Sequence, residues 1–194
     1  MINQNWEPQF IERLKVHYDE MQWLYKELYN NDQQAFDYFV EMLHEYYAAR
    51  SPELKEWDDM RCLVPDWYKG NDMLGMIIYT NCFAGTLKGV HAKLDYIKEC
   101  GANFIHLMPL LESPKDRSDG GYAVSNFRKV QPELGTMEDL YELSVDCHSK
   151  GMNICLDFVM NHTSEDHEWA KRARAGEKEY QDRLKELESK LADT

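Results

Sequence analysis

The stretch Met152-Asn153-Ile154-Cys155-Leu156-Asp157-Phe158-Val159 indicates the fold class. Its nearly continuous apolar run is typical of a strand buried in a parallel sheet. Two earlier stretches have the same character, Met73-Leu74-Gly75-Met76-Ile77-Ile78-Tyr79 and Asn103-Phe104-Ile105-His106-Leu107-Met108-Pro109. Three such strands separated by helical segments predict an α/β fold with right-handed strand–helix–strand crossovers.

Both segments between the strands have helical patterns. After Gly85-Thr86, apolar residues recur at helical spacing up to a glycine stop, at Leu87, Val90, Leu94, Tyr96, Ile97 and Gly101. Thr136-Met137-Glu138-Asp139 resembles a capping box. It predicts the start of a second helix that ends at Gly151.

The N-terminal third, residues 1–71, is predicted to be an all-helical domain. Amphipathic patterns run from Phe10 to Leu28 and from Phe36 to Arg50. Ser51-Pro52 then offers an N-cap and a first-turn proline for a third helix. The aromatic residues Trp57, Trp67 and Tyr68 could form a sugar platform, but packing between two layers is the favoured interpretation.

The composition excludes several classes of partner. The 194 residues carry a formal net charge of -13, which disfavours nucleic acid and anionic membranes as partners. No apolar run reaches the roughly 20 residues of a membrane span, and the first residues lack the pattern of a signal peptide. The five cysteines are scattered and odd in number, so we expect reduced thiols and a soluble, cytoplasmic protein.

Polar residues gather where two of the predicted strands end. The first loop, Leu111 to Ser125, contains Asp119-Gly120-Gly121-Tyr122. The second follows the third strand and contains Asp157, Asn161 and His162. Because loops at the carboxyl ends of parallel strands converge, we expect these groups to share one site. Asp-Gly-Gly alone is also an ordinary tight turn, and each polar residue alone has a structural explanation.

The cluster His162, Glu165, Asp166, His167 and Glu168 contains residue types that bind zinc. The cluster lacks the pair of histidines four residues apart that a helical zinc site uses. A charged helix start is the simpler interpretation, and we expect no metal and no cofactor.

Taken together, four segments resemble the α-amylase superfamily of glycoside hydrolases, family 13, and its amylosucrase branch in particular. They are His106-Leu107-Met108-Pro109-Leu110, Ser118-Asp119-Gly120-Gly121-Tyr122-Ala123-Val124-Ser125, Leu134-Gly135-Thr136, and Asp157 through Ser164 with His167-Glu168-Trp169 behind it. The resemblance covers roughly residues 72–182. It implies that residues 72–168 form the first three strand–helix units of an incomplete TIM (β/α)₈ barrel. Residues 169–194 would be a helical tail at the start of an inserted domain.

The resemblance also implies a reaction and roles for five residues. The reaction implied by the amylosucrase branch retains configuration: a carboxylate displaces fructose from sucrose to give a glucosyl-enzyme, and the glucosyl unit then passes to an α-glucan or to water. Asp119 would lie at the bottom of the glucosyl pocket, Tyr122 would stack on the glucosyl ring, and His162 would donate to a glucosyl hydroxyl. Asp157 and Asn161 would support the site. Asn161 is a calcium ligand in many family members, but the amylosucrase branch is not known for needing the ion.

The family's catalytic carboxylates have no counterpart in this chain. No Arg-x-Asp triplet follows His162, although the family's nucleophile has that context. We therefore expect the N-terminal part of an enzyme that acts on sucrose or α-glucans, inactive by itself, with a helix-forming tail at residues 183–194 that departs from the branch. The alternative is a non-catalytic half-barrel that binds a partner or associates with itself through open sheet edges.

Overall fold

The computed structural model describes residues 3–29 and 31–192, with side chains up to residue 185. The chain divides into two compact units, Met1–Trp67 and Tyr68–Thr194. The tail's last two residues and the side chains beyond residue 185 lie outside the described part.

In its described residues the first unit contains three α-helices, as predicted: α1 (Pro8–Leu28), α2 (Gln33–Ala48) and α3 (Pro52–Leu63). Ser51 caps α3, because its hydroxyl accepts a hydrogen bond from the Leu54 backbone N–H. Aromatic and aliphatic side chains of α1 and α2 form the core, namely Phe10, Leu14, Phe36, Val40 and Tyr47. The Arg61 guanidinium lies over the rings of Trp57 and Trp67, at 5.2 and 4.2 Å from the ring centroids, which favours packing over a sugar platform.

The second unit contains five strands and six helices in its described residues. The strands are β1 (Gly75–Ile78), β2 (Phe104–Leu107), β3 (Leu111–Glu112), β4 (Asn126–Val130) and β5 (Asn153–Leu156). The helices are α4 (Thr80–Ala84), α5 (Leu87–Ala92), α6 (Leu94–Glu99), α7 (Met137–Ser149), α8 (Glu168–Arg174) and α9 (Lys178–Ala192). Three strands form a parallel sheet in the order β1-β2-β5, and β3 pairs with β4 in an antiparallel ribbon.

The parallel sheet packs one face on the helices. Ile105 and Leu107 of β2 are fully buried among side chains of α5, α6 and α7. On the opposite face, Ile77, His106 and Cys155 are in register across the three strands. Ile77 is 68% exposed, so the prediction that the first strand is buried is wrong for this face. Successive side chains of a strand alternate between the faces, and only one face meets the helices here.

The first predicted crossover helix is divided into two. Lys93 lies between α5 and α6 with φ −104° and ψ 9°, outside the helical region. Its ammonium donates to the Phe83 carbonyl at 3.0 Å and lies 4.7 Å from the centroid of that ring. This tertiary contact with the preceding helix α4 accompanies the break, which apolar spacing alone did not indicate.

The described helices include none with the length and apolar composition that crossing a membrane requires.

The predicted capping box is present at the start of α7 and gives a pH-dependent prediction. The Asp139 carboxylate accepts from the Thr136 backbone N–H at 2.9 Å, and this hydrogen bond lowers the pKa of Asp139. A carboxyl group whose pKa is lowered by folding stabilises the fold at neutral pH. That contribution is lost as the pH falls through the folded-state pKa. We therefore expect Asp139→Asn to lower stability at pH 7 and to make it less sensitive to acid.

Urea unfolding at pH 7 and near pH 3 measures this difference. Glu142→Gln, on the exposed side of the same helix, is the matched control. An Asp139→Asn variant with the same loss of stability in acid as the wild type would contradict the prediction.

Candidate functional site

The glycine-containing loop is held at its base by the ribbon of β3 and β4. Leu111 pairs with Val130, and Glu112 pairs with Asn126. The Ser125 N–H donates to the Glu112 carbonyl at 2.8 Å, which closes the loop. The sequence interpretation placed residues 111–125 in a loop and did not include the ribbon.

The tip of this loop is a turn with three consecutive positive φ angles. They are +49° at Asp119, +68° at Gly120 and +98° at Gly121. A side chain at Gly121 would place its Cβ 2.8 Å from Pro109 Cβ, so the loop passes close over the end of β2. Asp119 itself is exposed, and in the described residues its carboxylate has no hydrogen-bond or ion-pair partner. Its carboxylate is therefore available to a ligand or to a cation.

Tyr122 and Asp157 are in direct contact, which joins the glycine loop to the end of β5. The Tyr122 hydroxyl donates to Asp157 Oδ2 at 3.0 Å. His106 Nε2 lies 2.9 Å from the other carboxylate oxygen, Oδ1. Because a carboxylate only accepts hydrogen bonds, Nε2 carries the imidazole proton. Both Asp157 oxygens are thus engaged, by donors from two different segments.

The contact with Asp157 changes the ionisation of Tyr122. Its hydrogen bond to the Asp157 carboxylate raises the pKa of the Tyr122 phenol, and partial burial and the Asp157 charge act in the same direction. Tyr122 therefore remains neutral at physiological pH. Its ring is half-buried, with the hydroxyl anchored at one end.

Asn161 and His162 lie on the second loop, beyond the strand end. His162 Nδ1 donates to the Asn161 side-chain carbonyl at 3.0 Å, and both residues are exposed. The loop is fixed a few residues later, where the Ser164 N–H donates to the Val124 carbonyl at 2.9 Å. Ser164 and Val124 are both buried, so the two loops meet at a rigid point.

The five predicted site residues do not form one connected cluster. One side-chain contact joins the two loops, and a second lies within the second loop. Tyr122 meets Asp157, whereas Asn161 meets His162. Asp119 is linked to Tyr122 only by the backbone, where the Tyr122 N–H donates to the Asp119 carbonyl at 3.3 Å. Within the described residues, no hydrogen bond connects His162 to Tyr122 or Asp157.

Three residues of the cluster with zinc-binding side chains, Glu165, Asp166 and His167, contact other groups in the structure. Arg117 of the glycine loop pairs with Glu165 and with Asp166, the latter at 2.9 Å. His167 Nδ1 accepts from the Trp169 N–H at 3.2 Å and so caps α8. These contacts fit the helix-start interpretation and add a second link between the loops.

A cleft of about 350 Å³ lies beside the glycine turn. Its lining includes Tyr79, Pro109, Lys115, Gly120 and Leu134, but neither Tyr122 nor Asp157. One of its polar side chains, Gln131, is already engaged, since it accepts from the Ser113 N–H and donates to Glu133. We therefore place the candidate site at Tyr122 and Asp157 rather than in this cleft.

Sequence reasoning gave no role to His106 or Arg117. His106 has a signal that could have found it, because it is the one polar side chain inside the apolar run Phe104–Leu107. Its position three residues before Pro109, at the carboxyl end of the strand, places it near the site. Arg117 has no comparable signal, since its partners Glu165 and Asp166 are nearly 50 residues away.

Comparisons with known proteins identify the family of this chain. The family model of the alpha amylase catalytic domain matches residues 29–190. The oligo-1,6-glucosidase of Bacillus cereus is 47% identical over 85 residues, which are 44% of this chain and 15% of that protein. The probable oligo-1,6-glucosidase 2 of Bacillus subtilis is 40% identical over 115 residues, 56% of this chain and 20% of that protein. The chain thus spans about a fifth or less of the length of these relatives.

Solved structures show the same fold. The trehalose-6-phosphate hydrolase of Bacillus licheniformis superposes with a TM-score of 0.50 and 36% identity, over 55% of this chain and 20% of that one. A variant of MutB in complex with glucose gives a TM-score of 0.50 and 36% identity, over 56% and 20% of the two chains. The predicted fold class, helices followed by the first three strand–helix units of a (β/α)₈ barrel, is therefore confirmed. With the pattern matched over residues 29–190, the chain belongs to the alpha-amylase family of glycoside hydrolases.

Proposed function

We propose that this chain supplies the glucosyl-binding part of an enzyme that acts on sucrose or α-glucans with retention of configuration. The contact between Tyr122 and Asp157 carries the proposal, because it brings the glycine loop to the end of β5. The MutB variant whose structure contains glucose is similar in both fold and sequence, which supports a glucosyl unit as the ligand.

In this proposal Tyr122 presents its ring face to the apolar face of the sugar. The Asp119 carboxylate and the His162 imidazole are exposed and supply hydrogen bonds to sugar hydroxyls. Asp157 and Asn161 hold Tyr122 and His162 by the hydrogen bonds described above. The sucrose-acting amylosucrase branch is the favoured parent, on the strength of the Ser118–Ser125 motif.

The reacting carboxylates are proposed to lie outside this chain. A retaining reaction needs two carboxyl groups about 5 Å apart, one as nucleophile and one as acid/base. Asp157 is occupied by His106 and Tyr122. Asp119 lies in the turn that corresponds to the pocket floor. Asp157 is therefore engaged at both oxygens, and the proposed place of Asp119 in the pocket floor gives it a binding role rather than a reacting one.

Isothermal titration calorimetry of the whole chain tests this function. We expect sucrose and maltose to bind in the millimolar range, with fructose alone as the negative control. Asp119→Ala and His162→Ala should each weaken binding, because each removes a hydrogen bond to the ligand. Equal heats for sucrose and fructose would contradict the proposal.

An assay for free fructose tests the placement of the reacting carboxylates. We expect no release of fructose from sucrose by the chain. Release that disappears in the Asp119→Ala variant would show that the chain itself catalyses the reaction, and would contradict this part of the proposal.

A second function, self-association, is favoured by apolar residues that are exposed on β1 and in the segment just after β5. Ile77, Phe158 and Met160 are 68, 60 and 84% exposed. In the described residues, the outer edges of β1 and β5 pair with no further strand. Such edges and patches promote association between chains. Light scattering after size-exclusion chromatography should show dimers or larger species, and a monomer at every concentration would contradict this function.

We also propose a cytoplasmic setting and the three-part domain organisation of residues 1–71, 72–168 and 169–194. All five cysteines are free, which supports a reducing compartment. The division of the chain near Trp67 supports a separate helical domain.

A further inference from the structure

His106 lies on the sheet face opposite the helices. It is in register with Ile77 on one side and Cys155 on the other. Its side chain is 27% exposed and that of Asp157 is 22% exposed, so their hydrogen bond is only partly open to water. An imidazole in this position does not contribute to the apolar core, which is formed on the other face of the sheet.

The hydrogen bond from His106 restricts the Asp157 carboxylate. The last torsion of an aspartate side chain is broad and nearly two-fold, so a carboxylate held at one oxygen can still rotate. Asp157 is held at both oxygens, by His106 Nε2 at 2.9 Å and by the Tyr122 hydroxyl at 3.0 Å. The plane of the carboxylate is therefore fixed, and so is the position of Oδ2, which accepts from the Tyr122 hydroxyl.

We propose that His106 is a positioning residue for sugar binding, which acts through Asp157 to hold the ring of Tyr122. The proposal rests on the function proposed above. Donors behind a ligand-contacting group commonly fix its orientation in this way. His106 does not touch the ligand, and its effect is transmitted by two consecutive hydrogen bonds.

A comparable pair elsewhere in the chain provides the matched control. His91 Nε2 lies 3.1 Å from Asp146 Oδ2, and this pair connects α5 to α7 away from the site. Both pairs are partly exposed. A purely structural effect of losing a histidine–aspartate hydrogen bond should therefore be similar for His91→Phe and His106→Phe.

The experiment measures two properties of the wild type and of four variants, His106→Phe, His106→Leu, His106→Gln and His91→Phe. The first is the pKa of the Tyr122 phenol without ligand, from ¹³C NMR of labelled tyrosine, assigned with Tyr122→Phe. The second is the dissociation constant for sucrose. Asp157 and Tyr79 are the charged or titratable groups that affect the pKa of Tyr122, and neither is changed.

In His106→Phe and His106→Leu, the Asp157 carboxylate loses one of its two donors and can rotate, so its hydrogen bond with the Tyr122 hydroxyl forms less of the time. We expect the pKa of Tyr122 to fall toward its ordinary value and sucrose to bind about fivefold more weakly. His106→Gln retains an N–H donor and should restore both properties in part. His91→Phe should alter thermal stability only.

An unchanged pKa of Tyr122 in both apolar variants would overturn the proposal, as would unchanged sucrose affinity in a wild type that binds sucrose. A fall of the pKa in a protein whose wild type does not bind sucrose would instead support the positioning contact and count against the proposed function. Should the apolar variants fail to fold, the ¹⁵N shifts of His106 in the wild type decide. A proton on Nε2 supports the hydrogen bond to Asp157, and a neutral ring with its proton on Nδ1 overturns it.

Discussion

Tyr122→Ala is expected to weaken sucrose binding by about tenfold or more. The substitution removes the ring that stacks on the sugar, an interaction that contributes about 1 kcal/mol. It also removes the hydroxyl that donates to Asp157 Oδ2, so the two loops lose a direct contact. The two effects together exceed the roughly 1.4 kcal/mol that corresponds to tenfold in affinity. Isothermal titration with sucrose measures the change.

Tyr141→Ala is the control for this variant. Tyr141 is 64% exposed on α7, and its substitution removes the same side chain outside the site. It should leave sucrose affinity unchanged. Equal affinities of the Tyr122→Ala variant and the wild type would show that the ligand does not contact this ring.

Gly121→Ala is expected to destabilise the second unit by about 3 kcal/mol. Two costs combine at this position. The backbone has φ +98°, which an L-residue adopts with strain of about 1 kcal/mol. The added Cβ would also lie 2.8 Å from Pro109 Cβ and 3.4 Å from the Pro109 carbonyl oxygen. Overpacking against the stiff proline ring costs a further 1–3 kcal/mol, roughly.

Gly151→Ala separates these two costs. Gly151 also has a positive φ, +73°, but no atom lies within 4 Å of its added Cβ. Its substitution should therefore cost only the strain, about 1 kcal/mol. Urea unfolding of both variants measures the difference. Equal losses of stability would mean that the close approach of the glycine turn to Pro109 is absent in solution.

Much of the fold could be predicted because, in most elements, the local sequence signal and the burial of apolar residues favour the same secondary structure. The apolar run from Phe104 to Leu107 and the capping box at Thr136 and Asp139 each specify one local structure. Parallel order then follows from alternating strands and helices. The sequence could not show which face of β1 is covered, because a run such as Met76-Ile77-Ile78 is apolar on both sides.

The short ribbon of β3 and β4 was missed for a different reason. β3 has only two residues, Leu111 and Glu112, too few for a periodic signal. Its partner β4 includes exposed Arg128 and Lys129 and lacks the apolar character of the other strands. The ribbon pairs residues that are 14 and 19 positions apart in the chain, on either side of the glycine loop. Such pairing depends on the turn between them, not on local composition.

The sequence predicts which residues form the candidate site, but not the contacts between them. Strand-end logic placed Tyr122 and Asp157 at one edge of the sheet, and the structure brings them into hydrogen-bonding contact. The role of His106 depends on its neighbour across the sheet, Cys155, which precedes Asp157 by two residues. Register of this kind is set by the whole sheet and is not visible in a single strand. The roles toward a ligand stay predictions for all five residues, Asp119, Tyr122, Asp157, Asn161 and His162, and ligand binding must decide them.

Intermolecular nuclear Overhauser effects in the sucrose-bound chain show which residues contact the glucosyl unit. We predict contacts between the ring protons of Tyr122 and the C–H protons of the glucosyl unit, with His162 also close to that unit and with no contacts to the fructosyl unit from Tyr122. Contacts confined to residues of the neighbouring cleft, such as Leu134, or the absence of contacts to Tyr122, would contradict the glucosyl site described here.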